Sequence, residues 1–214
     1  MKTLILVDIQ NDFCPGGALA VKKGDDVVAV ANGLMDSFDL VIATQDWHPA
    51  NHKSFASQHE STNAGDLFDL NGLAQVAWPD HCIQGSTGAE FHKELNMDSV
   101  EKVFQKGTDV EIDSYSGFFD NGRRSSTGLD QFLTDQNAQQ VYVMGLATDY
   151  CVKFTALDAV DLGFETYLIL DGCRGVELQG GDIDAAIKEM KEAGVIITCH
   201  EEVRKDERTT NKTN

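Results

Sequence analysis

Cys151 is the residue from which a reaction can be imagined, because it closes the stretch Gly145-Leu146-Ala147-Thr148-Asp149-Tyr150-Cys151. Residues 140–144 before it (Gln-Val-Tyr-Val-Met) are β-branched and apolar and read as a buried strand. After it, Val152, Thr155, Ala156, Ala159 and Val160 recur at helical spacing. Cys151 is therefore expected near the first turn of a helix leaving the carboxyl end of a parallel strand. Ligand sites of open α/β sheets gather at that end. The free N–H donors and positive dipole end of such a helix lower a thiol's pKa and favour the reactive thiolate. The plainer alternative is a buried, inert cysteine.

Other residues could share its chemistry. Asp8 follows a strand that is apolar on both faces, and a carboxylate beside apolar walls has a raised pKa suited to proton transfer. It could equally cap a helix or shape a turn. It could also be an aspartyl nucleophile of a magnesium-dependent phosphatase, with Asp12 as acidic companion. Asp46 and His48 stand at i and i+2 of an extended segment, so they face the same way. With His81 from Trp78-Pro79-Asp80-His81 they make one carboxylate and two imidazoles, a set that suits zinc, iron(II) or manganese. Lys106, before Gly107, is by default a solvated lysine. Turned into the same cleft, its charge would favour ionised Asp8 and Cys151. His59, His92 and His200 lack such companions and read as ordinary surface residues.

These residues need a frame, and alternation of strands and helices supplies one. Apolar strands are expected at residues 2–7, 40–44, 100–104, 140–144, 166–170 and 195–198. Helices are expected with Val27, Val28, Val30, Ala31 and Leu34 on an apolar face capped by Asp25 or Asp26, over 128–134, after Cys151, and over 183–193 with Gly194 as the stop. This pattern predicts an α/β fold, a doubly wound, mainly parallel sheet flanked by helices. Residues 114–126 read as loop. The stretch from about 46 to 100 is irregular and too long for an ordinary connection, which marks it as a functional excursion.

The 214 residues suffice for one domain with a full core. A net charge of −18 argues against nucleic acid and anionic lipid as partners. Asp8 ends the first apolar run too early for a signal peptide, and no other stretch is long enough to cross a membrane. Five cysteines, an odd number, suggest a reducing compartment and a cytoplasmic protein.

Taken together, Asp8-x-Gln10-Asn11-Asp12-Phe13, Gln45-Asp46-Trp47-His48-Pro49, Trp78-Pro79-x-His81-Cys82, Lys106-Gly107, Tyr115-Ser116-Gly117-Phe118 and Gly145–Val152 resemble the nicotinamidases, within the isochorismatase-like cysteine hydrolases. The resemblance runs in order from Met1 to about Val203. It implies one domain over 1–203 with a polar, disordered tail at 204–214. It implies a catalytic triad of Asp8, Lys106 and Cys151, and one divalent metal, zinc before iron or manganese, on Asp46, His48 and His81. It also implies a cis peptide between Leu146 and Ala147, an oxyanion hole from the backbone N–H groups of Ala147 and Cys151, and Phe13 and Trp78 as walls around a pyridine ring. Some relatives use a histidine near His52 as a further ligand, at a different spacing. The implied activity is hydrolysis of nicotinamide, a small-molecule substrate, in NAD salvage; self-association stays open. Two rivals remain at this point: a related cysteine amidohydrolase for carbamoyl or ureido substrates, and a non-catalytic metal- or ligand-binding protein on the same scaffold. The three metal residues disfavour the first, and joint retention of Asp8, Lys106 and Cys151 disfavours the second.

Overall fold

The computed structural model describes residues 1–210, with side chains to Lys205. In chain order the elements are β1 (Lys2–Val7), α1 (Asp26–Leu34), β2 (Leu40–Asp46), β3 (Leu67–Leu70), β4 (Leu73–Val76), β5 (Lys102–Lys106), α2 (Leu129–Asp135), β6 (Gln140–Leu146), α3 (Lys153–Asp161), β7 (Glu165–Arg174), α4 (Asp182–Ala193), β8 (Ile196–Thr198) and α5 (His200–Thr210). Six strands form one sheet in the order β5-β2-β1-β6-β7-β8, and every pairing in it is parallel. The doubly wound α/β architecture follows from the sequence pattern, with β1 central.

β1 explains why its run is apolar throughout: Leu4, Ile5, Leu6 and Val7 are all fully buried. α1 packs on β6 and β7 and against α5, while α3 packs on the same strands and against α4. A sheet covered on both faces leaves no polar side to alternate with. From β1 the chain winds outward to β2 and β5, then returns to β6 and winds the other way. The loops leaving β1 and its neighbours thus part at the carboxyl ends of the strands, and this crevice receives the candidate residues. Gly145 lets β6 lie close to β1: its φ is +126°, and a Cβ there would sit 2.2 Å from the Val7 carbonyl oxygen.

Three local expectations change. Asp25 makes no side-chain cap on α1; it is already helical, and the first amides are taken by the turn before it, Asp26 N–H on Lys23 O and Val27 N–H on Gly24 O. Asp26 instead pairs with Arg174 at 3.1 Å. The excursion is not wholly irregular, because β3 and β4 form an antiparallel hairpin. Its two-residue turn is Asn71-Gly72, both at positive φ (53° and 85°), the pair that a type I′ turn selects. The polar stretch expected as a disordered tail from Arg204 begins as helix. Arg204 donates to Gly33 O at 2.6 Å beside buried Val203, which ties α5 to α1; residues 211–214 lie outside the described residues. No helix among the described residues is long and apolar enough to cross a membrane. All five cysteines are free.

Candidate active site

Asp8 leaves β1 in the left-handed region, φ 48°, uncommon for a residue with a side chain, and is fully buried. Its Oδ1 accepts the Thr44 hydroxyl at 2.6 Å and its Oδ2 lies 2.9 Å from Lys106 Nζ. Burial raises the Asp8 pKa above the usual carboxylate value, with Lys106 and Thr44 opposing and the nearby Asp46 charge reinforcing. Asp12, by contrast, is spent on structure: its Oδ1 takes Ala18 N–H at 3.0 Å and its Oδ2 takes Cys82 N–H at 2.7 Å. It is no companion for Asp8, and the phosphatase reading loses its second carboxylate.

Lys106 is the largest departure from its default reading. The register of β2 and β5 sets Asp46 opposite Lys106, so the lysine turns inward and is only 2% exposed. Its ammonium reaches Asp8 Oδ2 at 2.9 Å, Asp46 Oδ1 at 2.9 Å, Ser114 O at 2.8 Å and Cys151 Sγ at 3.4 Å. Burial works against this charge, but the two carboxylates prevail and hold the Lys106 pKa well above its usual value.

Cys151 lies in a π-helical turn, Thr148–Val152, that precedes α3. It is not in the first turn of a regular helix, and the expected dipole-lowered thiol is corrected. The amides of Tyr150 and Val152 both close on Ala147 O at 3.1 Å. Burial pushes the Cys151 pKa well up; Lys106 opposes, while Asp8 and Asp46 add to the rise. Burial thus raises the pKa of both Asp8 and Cys151, and the Lys106 charge opposes the rise at each. The peptide between Leu146 and Ala147 is cis.

Beside this triad, Asp46 Oδ2 lies 3.0 Å from His48 Nε2 and 3.4 Å from His81 Nε2. Each ring's other nitrogen donates to a backbone carbonyl, His48 Nδ1 to Gly107 O at 2.8 Å and His81 Nδ1 to Pro79 O at 2.7 Å. Both Nε2 atoms are thereby turned to one point beside a carboxylate. Burial disfavours the Asp46 charge, but His48 and Lys106 overcome it and hold its pKa well below the usual range. The three donor atoms lie close enough to share an ion, and the set fits a divalent transition metal. His52 packs 4.3 Å from the His48 ring and binds Ser54 Oγ at 2.7 Å, and it groups with His48 and Asp113 rather than with Asp46. His200, expected to stand alone, pairs with Asp171, which also accepts its amide at 3.0 Å and fixes the start of α5.

Gln10 and Gly107 escaped assignment from sequence. The Gln10 side chain accepts Asp46 N–H at 2.8 Å and donates to Asp46 O at 2.8 Å, clamping the backbone of the first donor. Gly107, at φ +64°, leaves room for His48: a Cβ would sit 2.3 Å from its Cε1. Gly107→Ala should therefore displace the imidazole and cut bound metal and turnover by about 10- to 100-fold. Elemental analysis and steady-state rates on the same sample check this; a full metal complement would show that His48 can shift without loss.

Cys151 from the triad and Asp46 and His81 from the donors line a pocket of about 330 Å³, together with Phe13, Leu19, Trp78, Asp113, Tyr115, Ala147, Tyr150 and Val176; Asp8, Lys106 and His48 are not on its lining and touch it through Cys151 and Asp46. Phe13 and Trp78 are both on this lining. Leu19, Tyr150 and Val176 were not legible, because nothing local tells a pocket wall from a core or surface residue. Trp78 meets Tyr150 edge-on at 4.8 Å and donates its N–H to Tyr115 OH at 3.1 Å.

The fold is that of the isochorismatase-like hydrolases, and the chain belongs to the isochorismatase domain family, which it matches over residues 2–202. Within that family its likeness is to nicotinamidases. It is 54% identical to the nicotinamidase of Escherichia coli K12 over 202 residues, 92% of this chain and 93% of that protein. Among solved structures it superposes on the nicotinamidase/pyrazinamidase of Acinetobacter baumanii with a TM-score of 0.92 at 42% identity, covering 94% of this chain and 97% of that one. A protein from L. infantum in complex with nicotinate matches at TM-score 0.83 and 36% identity over 94% of this chain and 93% of that one. The pyrazinamidase of Pyrococcus horikoshii in complex with zinc matches at 0.74 and 37% over 92% and 98%.

Proposed function

We infer that this chain hydrolyses nicotinamide to nicotinate and ammonia through a thioester on Cys151. The observation that carries the reading is the juxtaposition of the Asp8–Lys106–Cys151 cluster and the Asp46/His48/His81 donors, joined by Lys106 on Asp46, with Cys151, Asp46 and His81 opening onto one pocket that Phe13, Trp78, Tyr115 and Tyr150 also line. Likeness to nicotinamidases over more than nine-tenths of the chain supports it.

The chemistry follows from the groups present. An ordinary thiol is mostly protonated at neutral pH, and burial makes Cys151 more so, so attack needs a base in contact. Asp8, its own pKa raised, accepts the thiol proton as Cys151 Sγ bonds to the carboxamide carbon. Lys106 stays charged and balances the negative charge as it moves from sulfur to the amide oxygen. The backbone N–H groups of Ala147 and Cys151 serve as the oxyanion hole, where one donor is worth roughly 3 kcal/mol. Asp8 then returns its proton to the amide nitrogen, and ammonia leaves as the thioester forms. Water, deprotonated by Asp8, attacks the thioester carbon and releases nicotinate and the Cys151 thiol. A divalent metal, zinc by its donor set and by the zinc-bound relative, would be held by Asp46, His48 and His81 and would offer the pyridine nitrogen a Lewis-acid partner. Such an activity returns nicotinamide to NAD, and the five free thiols accord with a reducing, cytoplasmic setting.

Substrate comparison tests the reading. Nicotinamide and pyrazinamide, each with a ring nitrogen meta to the carboxamide, should both turn over. Benzamide keeps the ring and amide but leaves the donor site without its nitrogen partner; it should lose about 10- to 100-fold or more in kcat/KM. A preference for a carbamoylated amine over nicotinamide would overturn the assignment.

A further inference from the structure

Gln75, on β4, takes no part in the chemistry above and does not line the pocket, yet it is 2% exposed and its side-chain amide is fully engaged. Its Nε2 has three acceptors in reach for its two hydrogens, Asp113 Oδ2 at 2.8 Å, Val76 O at 2.9 Å and Tyr115 OH at 2.9 Å, and its Oε1 accepts from Asn121 Nδ2 at 3.3 Å. Dispensing with a buried glutamine that has four polar neighbours is costly, since its removal takes one hydrogen-bond partner from each. All but Val76 lie on one loop, residues 113–121, which also offers Ser114 O to the Lys106 ammonium.

The Tyr115 hydroxyl is the point of contact with the pocket. Its oxygen receives both the Gln75 amide and the Trp78 indole N–H, so both of its acceptor positions are filled. The Tyr115 ring is stacked on Phe154 at 5.4 Å and meets Tyr150 at 5.4 Å. Stacking fixes the plane of the ring, while the Gln75–Tyr115–Trp78 chain fixes its hydroxyl and, together with the Tyr150 contact, the indole that lines the pocket. The far end of the hairpin is tied to the same region, Asn71 Nδ2 donating to Glu111 O at 2.8 Å and Arg124 donating to Asn71 O at 3.1 Å.

We propose that Gln75 is a positioning residue for the aromatic wall. Its amide holds the Tyr115 hydroxyl, which holds the Trp78 indole, so the β3–β4 hairpin sets how firmly a planar ring is gripped. The proposal deepens the nicotinamide reading and rests on it for the substrate, but its spectroscopic arm needs no substrate.

Two measurements test it. In a Trp47→Phe background Trp78 is the sole tryptophan, and Gln75→Met should change its emission in the substrate-free protein. In steady state, Gln75→Met should raise the nicotinamide KM about tenfold with kcat within about threefold of wild type. In a Tyr115→Phe background the same substitution should add less than about twofold, because the hydroxyl it acts through is gone. Unchanged emission, an unchanged KM, or the full KM effect persisting in the Tyr115→Phe background would each overturn the proposal. If Gln75→Met does not fold, Tyr115→Phe alone decides: shifts in both emission and KM uphold the chain, and no shift in either refutes it. Absence of nicotinamide hydrolysis by the wild type would sink the functional reading, while the emission change would still report on Gln75.

Discussion

Cys151→Ala should abolish nicotinamide hydrolysis, with a loss on the order of 10⁴- to 10⁶-fold, while the protein stays folded and keeps its metal content. The size follows from the role: with no sulfur there is no thioester, and no other thiol lines the pocket. The fold should survive because Lys106 keeps Asp8, Asp46 and Ser114 as partners when the sulfur is removed. Burial pushes the other three buried thiols up, Cys14 to about 11, Cys173 to about 12 and Cys82 well above its usual value, so none substitutes as a nucleophile near neutral pH. Mass spectrometry of wild type quenched during turnover should place a nicotinoyl adduct on Cys151. Residual activity near a tenth of wild type, or an adduct elsewhere, would assign the nucleophile wrongly.

Lys106→Met should cost both activity and stability. The substitution keeps much of the volume but leaves Asp8 and Asp46 facing one another without the ammonium between them. Removing one member of a buried charge cluster typically costs about 3–5 kcal/mol, here reduced because Asp8 can relieve the strain by keeping a proton. Turnover should fall by about 10³-fold or more, because neither the thiolate nor the oxyanion retains a nearby cation. The pH dependence has a definite sign. A lysine held above its ordinary value of 10.5 contributes stability that is fully present below that value and lost only as pH rises through the higher folded pKa. The lysine's own contribution is therefore constant across neutral pH, and denaturant melts should show the wild-type advantage over the variant undiminished there, or widened by the proton Asp8 must keep, and lost only in strong alkali. A gap that closed between pH 6 and 8 would mean that another group carries the effect.

What the sequence determined by itself is the periodic part of this protein and the order of its chemistry. Apolar runs such as Leu4–Val7 declare strands buried on both faces, and their alternation with helical patterns declares a doubly wound sheet. The polar residue that ends each run, Asp8, Asp46 or the Gly145–Cys151 turn, is thereby placed at the strands' carboxyl ends. Asp46 and His48 converge because two residues apart on an extended chain is a local relation, and local relations are written in sequence. Asn71-Gly72 was equally local, a turn signal that the surrounding irregularity masked.

The tertiary structure decided everything that depends on residues distant in the chain. Lys106 carries no local sign of burial; only the register that sets it opposite Asp46 takes its ammonium out of water and gives it three acceptors and a second carboxylate as ion pair. The direction of the Cys151 shift reversed for the same reason, since burial and two carboxylates from other strands outweigh any helix end. Gln10, Gly107 and Gln75 act through backbone atoms and hydroxyls 36 or more positions away or through space reserved for a neighbour's ring. Electrostatic environment and packing space are sums over neighbours that folding brings together, and no window of sequence contains those sums.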